Sequence, residues 1–399
     1  MTTTMSLTPP RPMGRAAAAV TGLLNSLRGG QLEMRWPDGS SRWYGEGAVK
    51  VHLHVRDVAM FDQVLAKGDI GFAESYLDGQ WDSPDLTALL KLLADNRDAL
   101  KRAVYGSWRS LLSARVRHWF NGNSKAGSKR NIMAHYDLGN DFYKLWLDPS
   151  MTYSSALYQD EDGNVHGDLE LAQKAKYARM LDRLDAKAGE RILEIGCGWG
   201  GLAEAATQRG LQVTGVTLSH EQLKWAQARV PSADLRLQDY RDVSERYDHV
   251  VSIEMFEAVG ERWWPTYFKK VADSLKPGGT VMLQTITIRD DLFDAYRKGT
   301  DFIQQYVFPG GMLPSSSALH AAAANQGLVV KDEFAFGQDY ARTLSEWRVA
   351  FEREWPVIAA QGFDENFRRL WRFYLAYCEA GFLAGNVNVV QLELTHAPS

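Results

Sequence analysis

The run Arg191-Ile-Leu-Glu-Ile-Gly-Cys-Gly-Trp-Gly-Gly201 constrains the fold more than any other stretch of this chain. A short aliphatic segment stops abruptly at alternate glycines, the pattern of a strand running into a tight turn that opens a helix. Glycine there lets the backbone take positive φ and lets a ligand approach the main chain closely. Downstream, residues 212–216, 247–253 and 280–286 read as further strands, and 221–229 and 264–275 as helices between them. Lys276-Pro-Gly-Gly279 supplies a break before the last of these strands. Strands separated by helices imply a doubly wound α/β sheet, in which the first glycine turn lies at the ligand-binding edge.

Ahead of this region the pattern is different. Residues 31–36, 41–44 and 48–55 alternate apolar and polar side chains as short strands do, with Asp38-Gly39 as a hairpin turn. Residues 68–82 and a helical 85–93 complete a smaller mixed α+β domain, placed at 1–120. The small polar run Asn121-Gly-Asn-Ser-Lys-Ala-Gly-Ser128 predicts a linker at 121–130 and a second domain at 131–399. Just before and within that linker, Arg97, Lys101, Arg102, Arg109, Arg115, Arg117, Lys125, Lys129 and Arg130 surround Trp108, Leu111, Leu112, Trp119 and Phe120. Such a mixture suits a membrane surface, cations meeting anionic headgroups and aromatics the acyl boundary. A solvated basic face whose aromatics pack on a neighbouring domain is the alternative.

Composition narrows the function. The net charge of −4 argues against a general nucleic-acid binder, and no apolar run is long enough to span a bilayer. Cys197 and Cys378 are too few for a disulfide framework or a multi-cysteine metal site, as expected in a reducing cytoplasm. The opening MTTTMSLTPPRPMGR lacks the apolar core of a secretory signal. A cytoplasmic protein that meets a membrane peripherally is the expectation.

The glycine turn, Gly196-x-Gly198-x-Gly200-Gly201, departs from the G-x-G-x-x-G of dinucleotide-binding folds. With Glu194 at the strand end it resembles motif I of class I methyltransferases, which bind S-adenosylmethionine. Gly215-Val-Thr-Leu-Ser-x-x-Gln222 and Leu237-Gln-Asp-Tyr-Arg-Asp242 follow at the positions where that fold grips ribose and adenine. Thr217, Leu218 and Gln222 stand where an acid usually holds the ribose, and Asp239 and Tyr240 complete the expected cofactor set. Cys197 and Trp199 are read as packing residues of the turn. An NAD-binding enzyme is the rival class.

Several further motifs resemble the cyclopropane fatty acid synthases over about the whole chain: Ala134-His-Tyr-Asp-Leu-Gly-Asn-Asp-Phe-Tyr143, Leu147-Asp-Pro-Ser-Met-Thr-Tyr-Ser154, Met255-Phe-Glu-Ala-Val-Gly260, Tyr306-Val-Phe-Pro-Gly-Gly311 and Tyr374-Leu-Ala-Tyr-Cys378. The resemblance implies S-adenosylmethionine-dependent methyl transfer to cis double bonds of phospholipid acyl chains, with Tyr153 and Ser154 near the cofactor. It also implies homodimerisation through the smaller domain. An alkene is a poor nucleophile, so the chemistry needs a dry pocket and aromatic faces for a carbocation; Tyr306, Phe308, Tyr340 and Phe256 are the aromatic candidates. A base must then take a proton from the new methyl group.

In that family the base is thought to be bicarbonate, and the corresponding ligands here are Ser155, Glu257, Gln284, Ile286 and Tyr340. Serine and glutamine replace the usual cysteine and histidine at 155 and 284, and Glu254 stands where a small residue is expected. A carboxylate so placed could itself act as the base; otherwise it points outward from the strand end. The altered pocket also admits a methyl- or methylene-branched product without a ring. Cys378 is carried over from the family's C-terminal helix. A non-catalytic lipid-binding relative and a methyltransferase for small polar molecules are the remaining classes, the latter disfavoured by the apolar, aromatic-rich 302–314.

Overall fold

A computed structural model describes residues 14–104, 138–160, 162–165 and 167–398. They fall into two compact units, Met1–Ser113 with Glu365–Phe373, and Ala114–Asp364 with Tyr374–Ser399. The expected linker at 121–130 lies outside the described residues. So does the basic, aromatic run from 105 onward, together with residues 134–137 of the first family-like motif.

In the first unit, strands β1 (Arg28–Arg35), β2 (Ser41–Tyr44), β3 (Glu46–Val55) and β4 (Trp81–Asp82) form a sheet in the order β2-β1-β3-β4. The predicted hairpin joins β1 to β2, with Leu32 opposite Tyr44. Gly39 takes φ 85 in its turn, and the Asp38 carboxylate accepts from the Ser40 amide at 2.9 Å. Helices α1 (Arg15–Leu24), α2 (Met60–Lys67), α3 (Asp69–Leu77), α4 (Leu86–Asp95) and α5 (Arg97–Val104) accompany the sheet. Leu32, Met34, Val51, Leu53 and Trp81 are buried, as the alternating pattern requires. Residues 365–373 return to this unit late in the chain. Arg369 there donates to the carbonyls of Tyr76 and Trp81 at 2.7 and 3.0 Å, closing backbone acceptors no local pattern would pair with it.

The second unit holds a seven-stranded sheet in the order β10-β11-β9-β8-β5-β6-β7. Its strands are β5 (Arg191–Ile195), β6 (Gln212–Thr217), β7 (Asp234–Leu237), β8 (Tyr247–Ile253), β9 (Leu275–Ile288), β10 (Leu328–Ala335) and β11 (Val387–His396). β5, β6, β7, β8 and β9 pair in parallel, and β11 runs antiparallel between β9 and β10. This is the expected doubly wound α/β sheet with two antiparallel strands added beyond β9, β11 and the edge strand β10, that sequence reasoning did not place. Leu193, Ile195, Val250 and Val281 are buried in one cluster, and Ile192, Val213, Val251 and Met282 in another, so alternate residues of β5 and β8 serve different clusters.

Helices α6 (Asn140–Tyr143), α7 (Leu169–Arg183), α8 (Gly201–Gln208), α9 (His220–Arg229), α10 (Trp264–Ser274), α11 (Asp290–Lys298), α12 (Ser316–Ala324), α13 (Gly337–Ala360) and α14 (Glu365–Leu383) complete the described helices. The expected break at Lys276–Gly279 is corrected: these residues lie within β9, where the pairing jumps from Tyr247↔Leu275 to His249↔Thr280. The Pro-Gly-Gly run thus makes an irregularity in the ladder instead of ending it.

The chain winds from β5 through β6 to β7, then returns to the other side of β5 with β8. That reversal makes the carboxyl ends of β5 and β8 the topological switch point, where such sheets bind ligands. Gly196 follows the first of these strands and Glu254 the second.

Candidate active site

The turn after β5 carries three glycines in left-handed conformations, Gly196, Gly198 and Gly200, at φ 86, 49 and 83. An added Cβ at Gly196 would lie 2.9 Å from Met255, and one at Gly200 3.1 Å from Ala226. At Gly198 it would meet nothing within 4 Å. Two glycines therefore permit close packing, and the middle one faces open space. Cys197 fits its expected packing role, since a Cβ at Gly215 would meet it at 3.0 Å.

Glu194 is buried at the end of β5, and its Oε2 has no hydrogen-bond partner among the described residues. Burial pushes its carboxyl up to about 8. After β6, Ser219 caps α9 by accepting from the Gln222 amide at 3.3 Å, while Thr217 Oγ1 donates to the Gln222 side chain at 3.2 Å. Leu218 lies between them. Asp239 accepts from the Arg241 amide at 3.0 Å and pairs with its guanidinium, holding the loop that presents Tyr240. The Trp199 indole donates to Asn140 at 2.7 Å and its ring lies 5.2 Å from Tyr143, which stands 5.4 Å from Tyr153. An unpaired buried carboxylate oxygen beside a glycine cradle suits S-adenosylmethionine, with its hydrogen-bonding nucleoside and amino-acid ends. Gly198→Ala is expected to weaken S-adenosylmethionine binding by about 100-fold in calorimetry, while strain at φ 49 costs only about 1 kcal/mol of stability. Unchanged affinity would place the cofactor elsewhere.

At the switch point the second carboxylate site is built around Glu254, a non-glycine residue held at φ 49. Its carboxylate points inward, against the outward alternative. Oε1 accepts from the Ser155 amide at 2.9 Å and Gln284 Nε2 at 2.7 Å, and Oε2 accepts from the Tyr340 hydroxyl at 2.6 Å. Glu257 lies beside it. Its Oε1 accepts from Thr285 Oγ1 at 3.0 Å and the Ile286 amide at 2.5 Å, while its buried Oε2 has no partner among the described residues.

Burial raises both carboxyls, and the neighbouring Glu254 charge helps push Glu257 up to about 8. Lys176, the Tyr340 hydroxyl, the Ser155 amide and Gln284 all favour the ionised form of Glu254. Of the two carboxyls, Glu254 is therefore the one whose ionised form its neighbours favour.

Lys176 is wholly buried, donating to Ser154 Oγ at 2.6 Å and Gln173 Oε1 at 2.7 Å. Burial pushes its ammonium down to about 7, and Glu254 is the largest influence in the other direction. Sequence reasoning missed Lys176 and Gln173. A signal existed: Ala172, Gln173, Lys176, Tyr177 and Met180 share the buried helical spacing of α7, and polar groups on such a face need partners.

Three expected roles change. The Ser155 hydroxyl donates to the Ala156 carbonyl at 2.9 Å, so Ser155 serves the pocket through its backbone N–H. The Ile286 amide is taken by Glu257. Phe256 is buried among Trp264, Tyr267 and Phe268, in the core. Of the other aromatics, Tyr306 stacks on Phe302 and Phe308 lies 6.0 Å from Tyr374. Tyr340 stands 6.2 Å from Trp347, and Trp347 stands 5.2 Å from Tyr153, whose hydroxyl is 2.8 Å from that of Tyr374. Trp347 is thus a pocket aromatic that sequence reasoning missed. Burial and the Asp301 charge push the Cys378 thiol up, so it stays protonated at neutral pH and is a poor nucleophile.

The sequence profile of the family described as mycolic acid cyclopropane synthetase matches residues 123–392. The tuberculostearic acid methyltransferase UfaA1 of Mycobacterium tuberculosis is 38% identical over 97% of this chain and 93% of its own length. The cyclopropane-fatty-acyl-phospholipid synthase of Escherichia coli is 36% identical over 87% of this chain and 88% of its own. Among solved structures, the mycolic acid cyclopropane synthase CmaA1 complexed with SAH and CTAB is 30% identical, covering 67% of this chain and 97% of that one with a TM-score of 0.61. A glycine turn shaped for the cofactor, a buried carboxylate pocket at the switch point and these matches together place the chain in the mycolic acid cyclopropane synthetase family of S-adenosylmethionine-dependent methyltransferases.

Proposed function

We propose that this enzyme methylates a cis double bond in an acyl chain of a membrane phospholipid and closes a cyclopropane ring, with Glu254 taking the proton. The observation that carries this reading is the enclosed Glu254 carboxylate, clamped by Ser155, Gln284 and Tyr340. The likeness to the cyclopropane-fatty-acyl-phospholipid synthase supports the substrate class.

S-adenosylmethionine, when bound, supplies an electrophilic methyl group; Glu194, the 196–200 turn, Thr217, Gln222, Asp239 and Tyr240 are the residues to hold it. The chain's own task is to exclude water, spread a carbocation over aromatic faces and accept a proton. Tyr153, Tyr340 and Trp347 supply aromatic faces for the cation, and the Tyr153 and Tyr340 hydroxyls are held in hydrogen bonds to Tyr374 and Glu254. Ring closure breaks a C–H bond of the new methyl, its electron pair forming the third ring bond as the proton passes to Glu254. Oε2 is the accepting atom, because Oε1 already holds two fixed donors whereas the Tyr340 hydroxyl can turn and accept.

Bicarbonate does not fit this pocket. The Ser155 amide, Gln284 and Tyr340 serve Glu254, and the Ile286 amide serves Glu257, so its expected donors are spent. A carboxylate on the chain replaces the diffusible one.

A second reading has its own support. If hydride shifts to the cationic carbon before the base acts, the charge moves to the carbon bearing the methyl, and loss of a methyl proton then leaves a methylene branch. Each hydrogen bond to Glu254 lowers its basicity and lengthens the cation's life, and the tuberculostearic acid methyltransferase is a relative. Vesicles of oleoyl phospholipid with methyl-labelled cofactor decide between the products: upfield cyclopropyl protons are expected, and vinylidene signals favour the branch. No label in lipid would refute both.

Among the described residues no helix is long and apolar enough to cross a membrane. From its membrane-lipid substrate class we place the enzyme peripherally on the inner membrane face, with the first unit serving docking or homodimerisation. Flotation with anionic vesicles is the expected result, and its absence would reject docking.

A further inference from the structure

We propose that Arg179 and Gln391 are positioning residues for the reaction, fixing through Gln284 the donor that the base Glu254 receives. The inference rests on the reading of Glu254 as base. Four groups form one continuous line of hydrogen bonds. Arg179 Nη1 donates to Gln391 Oε1 at 2.6 Å, Gln391 Nε2 to Gln284 Oε1 at 3.0 Å, and Gln284 Nε2 to Glu254 Oε1 at 2.7 Å. Gln391 and Gln284 are directly opposite in the β9–β11 ladder, both fully buried, and Arg179 approaches from α7 with only 6% of its surface exposed.

The direction of this line follows from chemistry. A primary amide can rotate to present either its oxygen or its nitrogen, but a guanidinium only donates. Arg179 therefore obliges Gln391 to offer its oxygen outward and its N–H₂ to Gln284. Gln284 must accept there, which leaves its own N–H₂ for Glu254. Without the cation, either amide could turn and set a carbonyl oxygen against the carboxylate. Successive polarised hydrogen bonds in an enclosed site also reinforce one another.

Other groups face these residues. Lys176, Glu257 and the Tyr340 hydroxyl act on Glu254 directly. Asp332 lies 3.5 Å from Arg179, the Phe334 ring lies 4.1 Å from its guanidinium, and Arg183 pairs with Asp332 and Glu393. Asp332 is more exposed than Arg179 and partly shared with Arg183, so it anchors the guanidinium without cancelling its direction.

The experiment measures the pH profile of kcat on phospholipid vesicles for Gln391→Met and Arg179→Met. The expected result is a turnover about tenfold lower at pH 7, with KM for cofactor and lipid within about twofold. The acid limb should move up by about one pH unit, so activity recovers in alkaline buffer. Arg179→Lys retains a donor and is expected to restore the limb. A merely structural role predicts a pH-independent loss with a lower Tm, and that result would overturn the proposal. Should Gln391→Met fail to fold, Gln391→Glu keeps the contact with Arg179, lacks the N–H₂, and is expected to shift the limb in the same direction. Glu254→Gln separates the two readings. If it leaves the limb in place, Glu254 is not the base; if it abolishes the limb while Gln391→Glu leaves it unmoved, only the positioning inference fails.

Discussion

Glu254→Gln should bind S-adenosylmethionine normally and lower methyl transfer into phospholipid by about a thousandfold, within the range a positioned general base contributes. The loss has two sources. The amide cannot take the methyl proton, and the pocket also loses the negative charge that faces the developing carbocation. Glu254→Gly is the sharper variant. It removes the carboxylate but leaves the Ser155 amide, Gln284 and Tyr340 aimed at the vacated volume.

The glycine enzyme is expected to be nearly inactive in bicarbonate-free buffer and to regain activity as bicarbonate is added. It should also fold at least as stably as the parent. Glycine adopts φ 49 freely, whereas a side chain there costs about 1 kcal/mol. Activity lost while stability is kept separates chemistry from unfolding. Full activity of Glu254→Gly with no gained bicarbonate dependence would refute Glu254 as the base.

The pH dependence follows in sign. Burial raises the Glu254 carboxyl, so the parent enzyme should lose turnover as pH falls through a value above the ordinary glutamate range.

The glycine turn and the order of the strands were legible because both are local. Residues 191–201 carry a strand, a turn and a helix start in consecutive letters. Glu254 was legible as a departure from a family pattern, though its inward direction was not. That direction comes from the left-handed backbone at 254 and from donors on β9, α13 and the loop before Ser155. The antiparallel strands β10 and β11 were not read. β10 is a half-exposed edge strand, and β11 lies after two long helices. The line from Arg179 to Gln284 was equally out of reach, because residues 107 and 212 positions apart meet only through the ladder and the α7 crossing. The hint available was a glutamine between Val390 and Leu392. The return of 365–373 to the first unit has no counterpart in local composition, since the helix that contains it continues into the second.

Lys176→Met should make the protein more stable and less active at once. The lysine is wholly buried, and the hydrogen-bond acceptors given to its ammonium, Ser154 Oγ and Gln173 Oε1, are neutral. Burial pushes its pKa down to about 7 from the ordinary lysine value of 10.5, so the unfolded chain binds more protons between those values. Stability of the parent therefore rises with pH across that window, and below it the full cost of charging the buried amine is present. Methionine fills a similar volume without the charge. Against this gain stand the two acceptors left without a donor, at about 1 kcal/mol each, for a net stabilisation of about 2 kcal/mol near pH 7. A catalytic unit of this size converts that to a Tm higher by about 5 °C, and the pH slope between 7 and 10.5 should disappear. Turnover should fall because Glu254 loses the cation that most favours its ionised form, and the acid limb should move upward. A variant that is less stable than the parent with its pH slope intact would show that Lys176 keeps an ordinary lysine pKa in the folded protein and carries no cost of burial. The combination of higher Tm and lower kcat would mark the buried ammonium as a destabilising group retained for the base it faces.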